Sequence, residues 1–391
     1  MQSVKAVRFD YIPSAEVEKV FDTFRRMCND AIIVAVATDA KSRFNLITNS
    51  YEHLKRYDLH THYILNACEV AYAIFQRWRK DTTAEVREIL TLPYFKKAGV
   101  LWHLARLRVA LPCVKRPFLK LDNQTYRLDY LLLRIPTAPR RFAYVPLNGS
   151  TYHRAFLSDK SLKRGSITVT EHSVVIAFTR QVKEVKIRGQ IGIDVNEKNV
   201  TWSDTTGRTE KIDTSEVQEI KERYKSIRGL LGPVAQKDRR VGRALHQKYG
   251  KREHDRCSQF LHRITGTIVK HAKENHLGIR LERLKGIRKL YQRGNHQGAL
   301  YRGRMNSWMF GEIQRQIEYK AAWDGVPVAY VNPRGTSRIC LCGSRVKDVG
   351  NRQLRCPVCG KTWDRDELAS KNVMAAPLVR VARPSRRSDD R

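Results

Sequence analysis

Residues 4–9, VKAVRF, place apolar side chains in the alternating manner of a strand. Val17, Val20, Phe24, Met27 and Ala31 then recur at helical spacing. A second helical stripe follows at Ile64, Cys68, Ala71, Phe75 and Trp78, with Arg77, Arg79 and Lys80 beside its end. The segment GVLWHLARLRVAL (99–111) satisfies helix and strand patterns equally. From about residue 115 the texture turns to short β-like runs punctuated by Pro136, Pro139 and Pro146. Within it, SITVTEHSVVIAFTR (166–180) predicts a hairpin turning at Glu171-His172-Ser173.

The pattern changes near residue 185. Three strands in succession are predicted over VKIRGQIGIDVNEKNVTWSDTTGRTEKID, with turns at Asn196–Asn199 and at Thr205-Thr206-Gly207. A long basic segment (217–256) leads into a helix with Cys257, Leu261, Ile264 and Ile268 on one face. Next come a strand, LGIRLE (277–282), and a Gly- and Arg-rich stretch. A helix bearing Met309, Ile313, Ile317 and Ala321, a strand VPVAYV (326–331), a cysteine cluster and a last helix from about 366 complete the order. Three strands, helix, strand, helix, strand, helix is the element order of an RNase H-like nuclease core, an α/β fold here preceded by a mixed β and helical half.

Three carboxylates fall at telling places in that order. In IGIDV, Ile191 and Ile193 alternate with Gly192 and Asp194, so the Asp194 side chain leaves the strand opposite the apolar pair. Glu282 closes its strand opposite Ile279 and Leu281. Asp366 stands where the last helix begins, near free backbone N–H groups that favour a carboxylate. Asp364 competes for that third place, with orienting a ligand or ending the cysteine turn as its other uses. Like charges gathered in one volume repel, and a divalent cation relieves them. Hard oxygen ligands suit Mg²⁺ or Mn²⁺, and two such ions serve phosphodiester hydrolysis.

Of eight cysteines, Cys28, Cys68, Cys113 and Cys257 stand alone at positions that read as apolar or helical. The other four form Cys340-Leu-Cys342-Gly and Cys356-Pro-Val-Cys359-Gly. The second pair is a zinc knuckle; the first is one residue shorter and bites more tightly. With no histidine between the pairs, Cys₄ is the only full ligand set, and a structural Zn²⁺ is expected; a ribbon held by packing alone is the other reading. Such a half-scattered, half-clustered pattern indicates a reducing compartment rather than a disulfide scaffold.

Charge points to a nucleic-acid partner, with a merely soluble basic surface as the other reading. Among 391 residues, 74 Lys and Arg stand against 39 Asp and Glu, a formal +35 spread over the whole chain. Such an excess fits a groove for a polyanion, whose counterions are released on binding. No apolar run nears the roughly 20 residues of a membrane helix. MQSVKAVRFDYIP lacks a signal peptide's apolar core, so a cytoplasmic protein that remains where it is made is expected. His60-Thr61-His62, in a helical stretch with no supporting carboxylate expected, reads as a surface or core pair. Gly294, Gly298 and Gly303 with Arg293, Arg302 and Arg304 suit a mobile basic lid, or else an ordinary flexible linker containing a solvated His296.

At GIDVNEKNVT, IRLERLKGIRK, NSWMFGEIQRQIEYKAAWDGVPVAYVNPRGTSRICLCG and CPVCGKTWDRDELASKNV the chain resembles the TnpB family. These transposon-encoded, RNA-guided DNA nucleases are related to miniature type V CRISPR effectors. The likeness covers residues 185–375; the first half is similar in texture only. It implies a RuvC-like nuclease with acids Asp194, Glu282 and Asp366 holding Mg²⁺ or Mn²⁺, and a zinc ribbon on Cys340, Cys342, Cys356 and Cys359. The implied partners are a guide RNA made from the element's own end and double-stranded target DNA beside a short adjacent motif, with the protein a monomer or weak dimer.

The organisation expected from this is a β-barrel-like wedge domain at 1–183 with a helical recognition insertion (helices about 14–110), nuclease parts at 184–335 and 363–377, a zinc ribbon at 336–362, and a basic tail at 378–391. Three departures from the family pattern stand out: Asn196 replaces a glycine, the first cysteine pair is short, and Leu368 replaces an asparagine. All three acids are present. The rivals are a catalytically silent nucleic-acid binder (transposon accessory or guide-directed repressor), an RNase H-like transposase, and more remotely a junction-resolving nuclease.

Overall fold

The computed structural model describes residues 2–91, 111–284 and 286–377. Segment 99–110 and the tail 378–391 lie outside the described residues. The chain divides into two compact units, Gln2–Arg180 and Gln181–Arg391.

In the first unit, strand β1 (Gln2–Asp10) precedes helices Ala15–Ala37, Arg43–Lys55 and Thr61–Thr91. Ser14 caps the first helix, accepting a hydrogen bond from the Val17 amide, and Val17, Val20, Phe24, Met27 and Ala31 are buried as their spacing predicts. Phe24 meets Tyr63 edge-on at 5.8 Å. The Tyr63 hydroxyl donates to the Pro136 carbonyl at 2.7 Å, tying the helices to the strands behind them. Those strands are β2 (Leu119–Leu121), β3 (Arg127–Asp129), β4 (Leu132–Ala138), β5 (Arg141–Pro146), β6 (Lys163–Val169) and β7 (Ser173–Gln181), with helix Thr151–Ser158 between β5 and β6. They form two sheets, β1-β7-β6-β2 and β3-β4-β5.

Two expectations need correction here. His62 does have a carboxylate partner: Asp122, sixty residues on in the chain, lies 2.9 Å from its Nδ1. Cys113 is exposed, whereas Cys28, Cys68 and Cys257 are buried.

The second unit is built on a five-stranded sheet in the order β10-β9-β8-β11-β12. Its strands are β8 (Gly189–Val195), β9 (Asn199–Asp204), β10 (Thr209–Asp213), β11 (Leu277–Glu282) and β12 (Val328–Val331). The first three are antiparallel; β11 runs parallel to both β8 and β12. The crossover from β10 to β11 contains helices Ser215–Leu230, Gly232–Lys237 and Arg239–Glu274, so the basic segment 217–256 is almost wholly helical. Cys257, Leu261, Ile264 and Ile268 are buried against the sheet core around Ile191, Ile193, Ile279 and Leu281. At ~1.5–3 kcal/mol per buried large apolar side chain, this cluster is the main favourable contribution to the unit's folding.

After β11 the Gly- and Arg-rich stretch forms a 3-10 turn, Ile287–Tyr291, and a short helix, Ala299–Ser307, before helix Phe310–Asp324 and β12. A three-stranded ribbon, β13 (Lys347–Gly350), β14 (Gln353–Arg355) and β15 (Thr362–Asp364), then leads directly into helix Arg365–Ala375. Among the described residues no helix is long and apolar enough to cross a membrane.

Helix Arg365–Ala375 lies against β8 because Gly192 has no side chain: a Cβ there would overlap the Ser370 carbonyl and the Met374 amide. Leu368, Ala369, Ser370 and Val373 form its buried face, and the Ser203 and Ser370 hydroxyls join sheet and helix at 2.6 Å. Leu368, the departure from the family's asparagine, is therefore a fully buried side chain of this face.

Candidate functional site

Register brings the first two acids together. Ile193 of β8 pairs with Leu281 of β11, so the next residues, Asp194 and Glu282, end neighbouring parallel strands side by side. Asp366 is the second residue of helix Arg365–Ala375. Asp364 is its N-cap and accepts hydrogen bonds from the Asp366 and Glu367 amides at 2.8 and 3.2 Å. The two aspartates differ in place: Asp364 caps the helix, and Asp366 turns inward and is only 1% exposed.

Asp194, Glu282 and Asp366 line one cavity of about 570 Å³. They do not meet as tightly as the cysteines described below, which alone among the described residues lie within 4.8 Å as a group of three or more potential ligands.

Their ionisation differs with their neighbours. Burial, then the charges of Glu282 and Asp366, push the Asp194 carboxyl up to about 7, against the hydrogen bond from Asn196. Glu282 is raised by burial and partly relieved by the Thr336 hydroxyl, which donates to it at 2.6 Å. Burial would raise Asp366 too, but Lys211 and Arg352 outweigh it and hold that carboxyl below its ordinary range. Lys211 Nζ lies 2.8 Å from one Asp366 oxygen, and the Arg352 guanidinium bonds the other.

Two asparagines complete the frame. The Asn196 side-chain amide donates to Asp194 at 2.6 Å and to Asp366 at 3.0 Å, bridging the two acids. Asn199 donates to the second Asp366 oxygen at 3.0 Å and accepts from Thr201 at 3.0 Å. Asn196, which replaces the family's glycine, is thus built into the site.

Lys211, Arg352, Asn199 and Thr336 are site residues that sequence reasoning missed. A partial signal existed for Asn199, within three residues of Asn196 at the same turn. None existed for Arg352, which reaches Asp366 from the turn between β13 and β14, where Asn351 and Arg352 adopt left-handed φ of 49° and 61°.

The four cysteines converge as their spacing predicts. Cys340 and Cys359 sulfurs lie 3.6 Å apart, and Cys342 and Cys356 sulfurs 3.5 Å. A tetrahedral Zn²⁺ with bonds of about 2.3 Å puts its sulfurs about 3.8 Å apart, so the donor set fits, short pair included. Each knuckle turns on a glycine with positive φ, Gly343 at 90° and Gly360 at 69°. The Gly343 amide donates to the Cys340 carbonyl and the Gly360 amide to the Cys356 carbonyl.

Comparison with known proteins finds a family model, a relative and solved structures. The family model Cas12f1-like, TNB domain, matches residues 310–373. A TnpB-like protein of Methanocaldococcus jannaschii is 32% identical over 250 residues, covering 62% of this chain and 89% of that protein. Among solved structures, the Cas12f1-sgRNA-target DNA complex is similar over 97% of this chain and all of that one (100%), at 14% identity and a TM-score of 0.50. The mini-RNA-guided endonuclease CRISPR-Cas phi3 is similar over 96% of this chain and 93% of that one, at 9% identity and a TM-score of 0.53. At these identities the two structures bear on the fold alone; the archaeal relative, matched over nearly its full length, bears on descent, and by it this chain belongs to the TnpB-like family.

Proposed function

We propose that this chain is an RNA-guided, divalent-metal-dependent endonuclease of a transposable element, cutting DNA beside a short adjacent motif through a single RuvC-like site. The observation that carries the reading is the convergence of Asp194, Glu282 and Asp366 on one cavity at the ends of β8, β11 and the start of the last helix. Family membership and the +35 charge support it from two other sides.

Asp194, Glu282 and Asp366 would hold Mg²⁺ or Mn²⁺ through hard carboxylate oxygens. When bound, such ions supply an activated water and charge relief at the leaving oxygen of a phosphodiester. The protein's own part is positional. Asn196 keeps Asp194 and Asp366 at a fixed separation, Thr336 orients Glu282, and Lys211 and Arg352 balance the charge of Asp366. No histidine or serine nucleophile is needed.

Cys340, Cys342, Cys356 and Cys359 would hold an architectural Zn²⁺, which sets where β15 ends and Asp364 starts the last helix. Residues 1–183 take the wedge and recognition roles, and the basic helices of 217–256 join them in gripping an RNA–DNA duplex by its backbone. The setting is the nucleoid-associated cytoplasm of a prokaryote.

The test is to purify the protein with its co-expressed RNA, supply matched DNA with Mg²⁺, and sequence the RNA. Cleavage by the parent and none by Asp194→Ala is expected. A parent that binds guide and target but leaves the DNA whole would reduce the chain to a silent binder; joined rather than cut ends would make it a transposase.

A further inference from the structure

The cavity that contains the three acids has a lining of mixed chemistry. Tyr291, Tyr301, Met305 and Phe310 line it together with the carboxylates. Met305 and Phe310 belong to the hydrophobic core. Tyr301 does not: it stands 40% exposed on the short helix Ala299–Ser307. Its ring lies 5.9 Å from that of Tyr291 at 73°, edge to face. The Arg304 guanidinium lies 5.5 Å from the Tyr301 ring centre and pairs with Glu197, in the turn after Asp194. The ring is thereby anchored to the strand end that bears the first acid.

Core packing does not account for an exposed ring held this firmly, whereas the chemistry of the neighbouring site does. A cavity of about 570 Å³ is within the ~300–1,000 Å³ of ordinary ligand sites and excludes a duplex. A single strand can enter it one nucleotide at a time. The phosphate of that nucleotide belongs near the acids and their cations; its base needs an uncharged flat surface. Aromatic side chains beside a basic groove are the general solution for single strands, because every base has a π-face.

We infer that Tyr301 is a stacking platform for the base of the nucleotide next to the phosphodiester being cut, with Tyr291 buttressing its edge. This rests on the nuclease reading above and assigns to it a substrate contact.

The test combines protein and substrate changes. Purified parent, Tyr301→Ala and Tyr301→Phe complexes are assayed on DNA carrying either a normal base or an abasic site at each position flanking the cut. Tyr301→Ala should raise KM roughly 5- to 100-fold, the range that one lost base–aromatic stack gives. Its melting temperature should stay at the parent's value, and Tyr301→Phe should restore the parent's KM. One abasic position should weaken the parent by the same factor and leave Tyr301→Ala no worse. Effects that multiply, or a Phe variant as poor as the Ala variant, would overturn the assignment.

A parallel measurement separates this proposal from the nuclease reading. A single-stranded oligonucleotide carrying 2-aminopurine at the same position is bound to each complex without divalent metal. Quenching by the parent but not by Tyr301→Ala supports stacking even where no cutting occurs. Cutting by the parent with equal quenching in both rejects stacking and leaves the nuclease intact.

Discussion

Gly192 and Ser370 touch backbone to backbone: the carbonyl of Ser370 occupies the space a Cβ of residue 192 would need, and Met374 Cα lies 2.7 Å from the same point. This contact sets how closely the last helix approaches β8, and so where Asp366, one turn earlier, stands relative to Asp194. Gly192→Ala should push the helix outward, at a cost of about 1–3 kcal/mol for forced overpacking. DNA cleavage should fall at least tenfold more than the loss of folded protein explains. Thermal unfolding alongside cleavage rates, both at a temperature where the variant is fully folded, checks this.

The Asp194 carboxyl gives a pH dependence of definite sign. Its folded-state pKa, raised to about 7, lies above its unfolded value. The folded state therefore keeps a proton that the unfolded chain has lost between about pH 4 and 7. The stability this contributes is full at low pH and lost as pH rises through about 7. Without divalent metal, Asp194→Asn should then be more stable than the parent at pH 8, by on the order of 4 kcal/mol, and equal to it near pH 4. Mg²⁺ should close the gap at pH 8 by stabilising only the parent. Melting curves of both proteins across pH, with and without metal, give the comparison.

Arg352 combines backbone strain with a useful charge. Its left-handed φ of 61° costs about 1–2 kcal/mol, and its ion pair with Asp366, half exposed on the arginine side, returns at most about as much. Arg352→Gly should therefore leave the melting temperature within a few degrees. With one competing cation gone from Asp366, the Mg²⁺ concentration giving half-maximal cleavage should fall severalfold. An unchanged metal requirement would show that Arg352 is not in competition with the ion.

One zinc per chain is expected by elemental analysis, bound by the four thiolates despite the short Cys340-Leu-Cys342 bite. Strong chelators should remove it and lower the melting temperature. Because β15 runs straight into the helix that begins at Asp364 and Arg365, loss of the ion should also abolish cleavage. Cys359→Ser should reproduce both effects; a variant that keeps full zinc and full activity would exclude this ligand set.

Period-two alternation made Asp194 and Glu282 legible as side chains leaving their strands opposite Ile191, Ile193, Ile279 and Leu281. Glycine and cysteine spacing made the two knuckles legible in the same way. Asp366 was harder, since Asp364 shared its neighbourhood; which of them caps the helix depends on the chain's path out of the ribbon. Asn196 was visible only as a departure from a family pattern, without its bond to Asp366, 170 residues away.

The sequence by itself determined the order of strands and helices, the faces of the acids, the pairing of the four cysteines and the excess of positive charge. Each of these follows from residues within about a turn or a pleat of one another, or from composition. Only the tertiary structure decided that Lys211 from β10 and Arg352 from the ribbon both reach Asp366, that Thr336 serves Glu282, and that Tyr291 and Tyr301 line the same cavity as the acids. Such meetings depend on how separately folded elements pack, through close approaches like that of Gly192 to Ser370, and no local period in the chain encodes them.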